Sequence, residues 1–115
     1  MSGMARGSAA ALDRGTSVAY AATVTPNCDT TDILTVGTLT GPLTLATPTG
    51  TPRDGQRMRI RLTQDATGRV VTLGAGYALP TGDSIPSTAS IVIYLGLEYS
   101  AVVSKWRVVA IKVVS

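Results

Sequence analysis

The sequence contains no histidine, no phenylalanine, one cysteine and one tryptophan in 115 residues. Each shortage excludes a class of chemistry. Without histidine the commonest general base is missing, and no Ser–His–Asp or Cys–His arrangement can be assembled. A single cysteine, Cys28, excludes an intrachain disulfide and leaves too few soft ligands for a zinc site. Within Pro26-Asn-Cys-Asp29 it reads as a small buried residue rather than a nucleophile, since no imidazole is available to activate it. No apolar run approaches a membrane span, and the opening Met-Ser-Gly-Met-Ala-Arg lacks the apolar core of a signal peptide, so a protein made in a cytosol is expected.

The carboxylates offer no better start for catalysis. Asp29, Asp32, Asp54, Asp65 and Asp83 fall in turn-like segments, where aspartate commonly hydrogen-bonds its own backbone. Nothing singles out two acids that would converge on one bond, as a glycosidase requires. Gly74-Ala-Gly76 invites comparison with a phosphate loop, but no strand-loop-helix context and no Lys-Ser/Thr pair follows it. No catalytic residue, cofactor or metal is expected, and the chain is not read as an enzyme.

What is present is abundant Val, Thr, Ala and Leu with 12 Gly and 6 Pro, in short apolar runs separated by turn signals. Seven or eight such runs predict an all-β domain, an antiparallel β-sandwich or jelly-roll-like fold. Residues 1–16, rich in Ala, Gly and Ser, read as an N-terminal arm, either ordered against a neighbour or simply a frayed end; residues 17–115 form the domain. Expected strands cover residues 18–25, 32–38, 39–46 (broken at Gly41-Pro42), 57–63, 70–73, 90–99 and 105–114. A core of small side chains buries modest area per strand, so self-association is expected to help.

The clearest alternation lies in residues 51–76. Met58, Ile60 and Leu62 point one way and Arg57, Arg59 and Arg61 the other, an oily face and an arginine face on one ribbon. Asp65-Ala-Thr-Gly68 is then expected to turn the chain into a return strand at 70–73, giving a β-hairpin. Residues 90–99 are largely apolar on both faces, which places them centrally in a sandwich or under another subunit. In the last strand Val109, Ile111 and Val113 are assigned to one face, and Trp106, Val108, Ala110 and Lys112 to the other. The formal net charge is +3, from ten basic and seven acidic residues. Outside the arginine strand the basic residues are dispersed along the sequence, which argues against nucleic-acid binding and fits an acidic protein surface.

Three stretches carry a family resemblance: residues 47–56 (TPTGTPRDGQ), residues 61–68 (RLTQDATG) and residues 71–77 (VTLGAGY). Together with Leu97-Glu-Tyr99 and Ser104-Lys-Trp106 they resemble a small β-domain of tailed-bacteriophage virion proteins, over about residues 45 to 110. The chain departs from that pattern in having one Gly after Ala-Thr where two are usual, and Leu73 where Trp is frequent. Such domains occur in tail fibres and spikes and as free-standing head proteins. For a chain of one such domain and a short arm, the resemblance implies a capsid decoration (cement) protein, seated as a homotrimer on the major capsid protein at the virion surface. The candidate contact residues are Arg6 and Arg14 in the arm, Arg57, Arg59 and Arg61 on the sheet, and Trp106, for which a core position is the plainer reading. A solvated sheet face is the plain reading of the arginines. The alternative is a receptor- or glycan-binding head domain of a tail fibre or spike, for which Tyr77 is the evident exposed-aromatic candidate.

Overall fold

A computed structural model describes residues 14–115; the expected arm, apart from its last three residues, and its candidate Arg6 lie outside them. Nine strands are present and no helix occurs among the described residues. They are β1 (Gly15–Val18), β2 (Thr23–Val24), β3 (Ile33–Val36), β4 (Leu43–Leu45), β5 (Arg57–Thr63), β6 (Val71–Leu73), β7 (Tyr77–Ala78), β8 (Val92–Ser100) and β9 (Lys105–Val114). Six form one sheet in the order β1-β3-β5-β8-β9-β7, and three a second in the order β2-β4-β6. The first strand thus takes in Gly15 and Thr16, which the sequence assigns to the arm.

The all-β class is as expected, but the strand directions are not those of an antiparallel sandwich. Five of the seven strand pairings are parallel; only β5–β8 and β8–β9 are antiparallel. Parallel neighbours need a crossover, and here the second sheet supplies it in place of a helix. The chain winds through β1 and β2, then β3 and β4, then β5 and β6, each turn laying one strand on each sheet beneath the last. Corners stack as well: Asn27 bridges Thr49 and Leu39 bridges Gln64, both in parallel. The N-terminal half is therefore a short solenoid of three turns, closed by the β8–β9 hairpin that docks against β5.

The hairpin expected at residues 57–76 does not form, because β5 and β6 belong to different sheets. Gln64 is the reason. Its side chain is buried, accepting from the Arg69 amide (2.7 Å) and donating to the carbonyls of Arg69 (2.7 Å) and Pro86 (3.3 Å). Asp65 then accepts from the amides of Thr67 and Gly68, each at 3.0 Å, and pairs with Arg69 at 2.8 Å. These bonds satisfy the backbone of a wide corner within the chain itself, so it needs no facing strand. The other family stretches are joints of the same kind. Gln56 donates to the Cys28 carbonyl (3.0 Å), its backbone accepts from the Tyr99 amide (2.8 Å), and Asp54 accepts from the Ala101 amide (2.9 Å).

One core lies between the sheets. Leu34, Val36, Met58, Ile60, Leu62, Ile93, Leu95 and Leu97 enter it from the larger sheet, and Val24, Leu43 and Leu45 from the smaller. Full burial of each such side chain is worth roughly 1.5–3 kcal/mol. In β9 a bulge between Val108 and Ala110 corrects the expected faces. The extra residue, Val109, faces solvent, so Trp106 and Val108 before it and Ile111 after it all turn inward. Trp106 is 2 % exposed and meets Tyr99 edge-on at 5.4 Å.

Arg14 pins the first turn to the second. Its side chain forks onto the Asp32 carboxylate (2.9 and 3.0 Å) and reaches the Asp29 carbonyl, while its own amide donates to the same carboxylate at 2.9 Å. These bonds hold the Asp32 carboxyl down at about 2. Asp65 is likewise lowered, first by its hydrogen bonds from Arg69 and then by the turn amides. A carboxylate with a depressed folded-state pKa stabilises above its unfolded value and loses that contribution as pH falls through the folded one. Stability is therefore expected to decline between about pH 4 and pH 2. Asp32→Asn should lower the midpoint of urea unfolding at pH 7 and flatten that decline, as followed by circular dichroism across the same range.

Two glycines separate strain from space. Gly55 and Gly68 both have positive φ, 82° and 81°, but a Cβ on Gly55 meets nothing within 4 Å whereas one on Gly68 would be driven into the Ser87 carbonyl oxygen. Gly55→Ala should cost about 1–2 kcal/mol, the strain of the left-handed conformation alone. Gly68→Ala should cost distinctly more; equal losses in chemical denaturation would show that the Gly68 corner yields freely.

Candidate functional site

The outer face of the larger sheet is the chemically distinctive surface. In β5 the expected alternation holds: Met58, Ile60 and Leu62 are 1 %, 0 % and 0 % exposed, and the intervening arginines face out. Pairing then builds rows across strands. Arg57 lies opposite Glu98, which lies opposite Arg107. Arg59 sits between Ile33 and Gly96, with Ala110 beyond. Arg61 sits between Thr35 and Tyr94, with Lys112 on the far side of the ring.

This gathers charges that are far apart in sequence. Strands β5, β8 and β9 carry Arg57, Arg59, Arg61, Lys105, Arg107 and Lys112 against one acid, Glu98, so six of the ten basic residues share these three neighbouring strands. The Arg57–Glu98 pair is loose (3.9 Å) and exposed, and such pairs hold side chains only weakly. Arg61 donates to the Thr35 hydroxyl at 3.4 Å. Between the Glu98 and Tyr94 rows the floor is made of small residues: a Cβ on Gly96 would stand 3.3 Å from that of Ala110. Two depressions result, one of about 620 Å³ along Asp32, Arg57, Arg59, Gly96, Glu98 and Val109, the other of about 230 Å³ bounded by Ile33, Thr35, Arg59, Arg61 and Tyr94.

Of the sequence-derived candidates, the structure brings Arg57, Arg59 and Arg61 together on this face, commits Arg14 to its pin on Asp32 and buries Trp106. Tyr77 is not an exposed aromatic. It is 6 % exposed, donates to the Ala46 carbonyl at 2.9 Å, and burial raises its phenol above the usual range. It pairs with Trp106 of β9 and joins the core cluster. Tyr94, 39 % exposed, is the aromatic on the surface; the sequence placed it on the second, largely apolar face of a strand expected to be central in a sandwich or covered by another subunit. Its signal was the break in apolar character at Gly96 and Glu98 on the same side of the strand. Cys28 is 1 % exposed, and burial, with Asp29 beside it, pushes its thiol up. Among the described residues no group of three or more potential metal ligands comes together.

No curated protein and no solved structure matches the chain. A family model described as "Putative phage tail fibre C-terminal domain" does, over residues 13–101, which spans the whole solenoid and β8. That finding supports the tail-fibre alternative better than capsid decoration, and makes the chain a structural phage protein, a domain of the virion. The match takes in the smaller sheet, the stacked corners and every strand of the larger sheet except β9, well over half of the chain, and on that ground the chain belongs to the family so described.

Proposed function

We propose that this domain is a receptor-binding tip of a phage tail fibre or spike, which engages the host surface without chemistry through the outer face of its larger sheet. The observation that carries this is the family match across residues 13–101. The geometry agrees with it. The face is open rather than enclosed, its cations project from rigid strands, and its groups suit adhesion rather than turnover. Several copies assembled side by side would present several such faces, and weak single contacts would then add. Capsid decoration rests on the resemblance of the turn motifs and on the reading of one such domain with a short arm, and those motifs are the structural joints described above.

Immunogold electron microscopy of intact virions should place this protein at the distal end of the tail. Label over the head would overturn the proposal and favour the decoration role. The purified domain, added in excess to susceptible cells, should slow adsorption of the phage; undiminished adsorption would count equally against it.

A further inference from the structure

We infer that the Arg59–Arg61–Tyr94 depression is a subsite for an anionic saccharide, a sugar unit bearing a carboxylate or phosphate. The inference rests on the receptor-binding reading and deepens it by naming the chemistry recognised. Three features of the face converge on such a ligand. The first is charge: β5 and β9 bring six cations to the face, against Glu98 on β8 and Asp32 at the edge beside Arg57 and Arg59, and around Arg61, Tyr94 and Lys112 no acid of these strands intervenes, so an anion is attracted there. The second is the ring. Tyr94 is exposed and flanked by Arg61 on one side and Lys112 on the other, so a sugar stacked on its apolar face lies within reach of both charges. The third is size. A volume of about 230 Å³ is below the ~300–1,000 Å³ of an enclosed small-molecule pocket, and suits one sugar unit of a longer chain.

The floor of small residues gives that longer chain a path. Gly96 and Ala110 lower the sheet surface between Tyr94 and Glu98, which at ~3.3 Å per residue stand roughly 13 Å apart along β8. A polysaccharide could cross the strands in this channel with its acidic groups over Arg59 and Arg61. Arg61 makes one long contact, 3.4 Å, to the Thr35 hydroxyl, which leaves its guanidinium available to an anion. A single-stranded nucleic acid is a poorer fit, since stacking successive bases needs several aromatics and this face presents one.

The test is binding of the full chain to oligogalacturonate, to neutral dextran and to a single-stranded DNA oligonucleotide, by biolayer interferometry at low and physiological salt. Oligogalacturonate is expected to bind at least tenfold more tightly than dextran, and more weakly as salt rises. Tyr94→Ala and Arg61→Gln should each weaken it about tenfold, the size of one lost stacked ring or charge-assisted bond, with unchanged melting temperatures because both side chains are on the surface. Arg53→Gln, a cation outside the strands of the face, should leave binding unaltered. If Arg53→Gln weakens binding as much as Arg61→Gln, the attraction is non-specific and the subsite is overturned. DNA binding with the same Tyr94 dependence would also overturn it, in favour of a nucleic-acid partner. If both face variants compete for host cells as well as wild type does, the subsite fails while the receptor-binding function stands. If wild type itself does not compete, the function fails first.

Discussion

Strand β5 is the constraint on which the rest of the structure depends. On one side it continues a parallel stack begun by β1 and β3, and on the other it receives the antiparallel β8–β9 hairpin. The stacked turns and the hairpin meet there, and its side chains must serve both. Met58, Ile60 and Leu62 supply the centre of the core, while the backbone closes hydrogen bonds with β3 and β8. A shift of one residue in its register would exchange the oily face for the arginine face. The strict alternation of residue types therefore protects the fold as much as it defines a surface.

A solenoid of three turns has a small core per turn, and its stability depends on how well the corners satisfy their own backbone. Here the polar residues of the turns do that work. Gln56, Gln64, Asp54 and Asp65 each replace a missing strand partner with a side-chain bond, and Arg14 and Arg69 clamp the acids beside them. This explains why the stretches that carry the family resemblance contain so many polar and glycine residues yet mark no active site. They are the hinges at which the chain passes from one sheet to the other.

The proposed contact surface follows from the same construction. Because β8 joins β5 and β9, two separated basic segments become one cationic face, and the bulge at Val109 lets Trp106 and Ile111 both serve the core while Arg107 and Lys112 stay outside. A sheet exposes rows of side chains at fixed spacing, so a contact made on this face would start from rigid backbone positions. Tyr94 gains its importance only in that setting, as the ring between two cations.

The sequence by itself determined the all-β class and the oily and arginine faces of β5, because alternation is local; it missed the bulge that resets the faces of β9 and the corner that splits residues 18–25 into β1 and β2 on different sheets. It also determined the shortage of catalytic groups, which is a matter of composition. Strand direction and partnership were decided only by the tertiary structure. A period of two records which way a side chain points from its own strand, and carries nothing about which strand lies alongside. For that reason the hairpin at residues 57–76 became a corner between sheets, Tyr77 was drawn into the core and Tyr94 left on the surface. The same long-range pairing, invisible in any single segment, brought the three cations of β9 onto the face that carries the three arginines of β5.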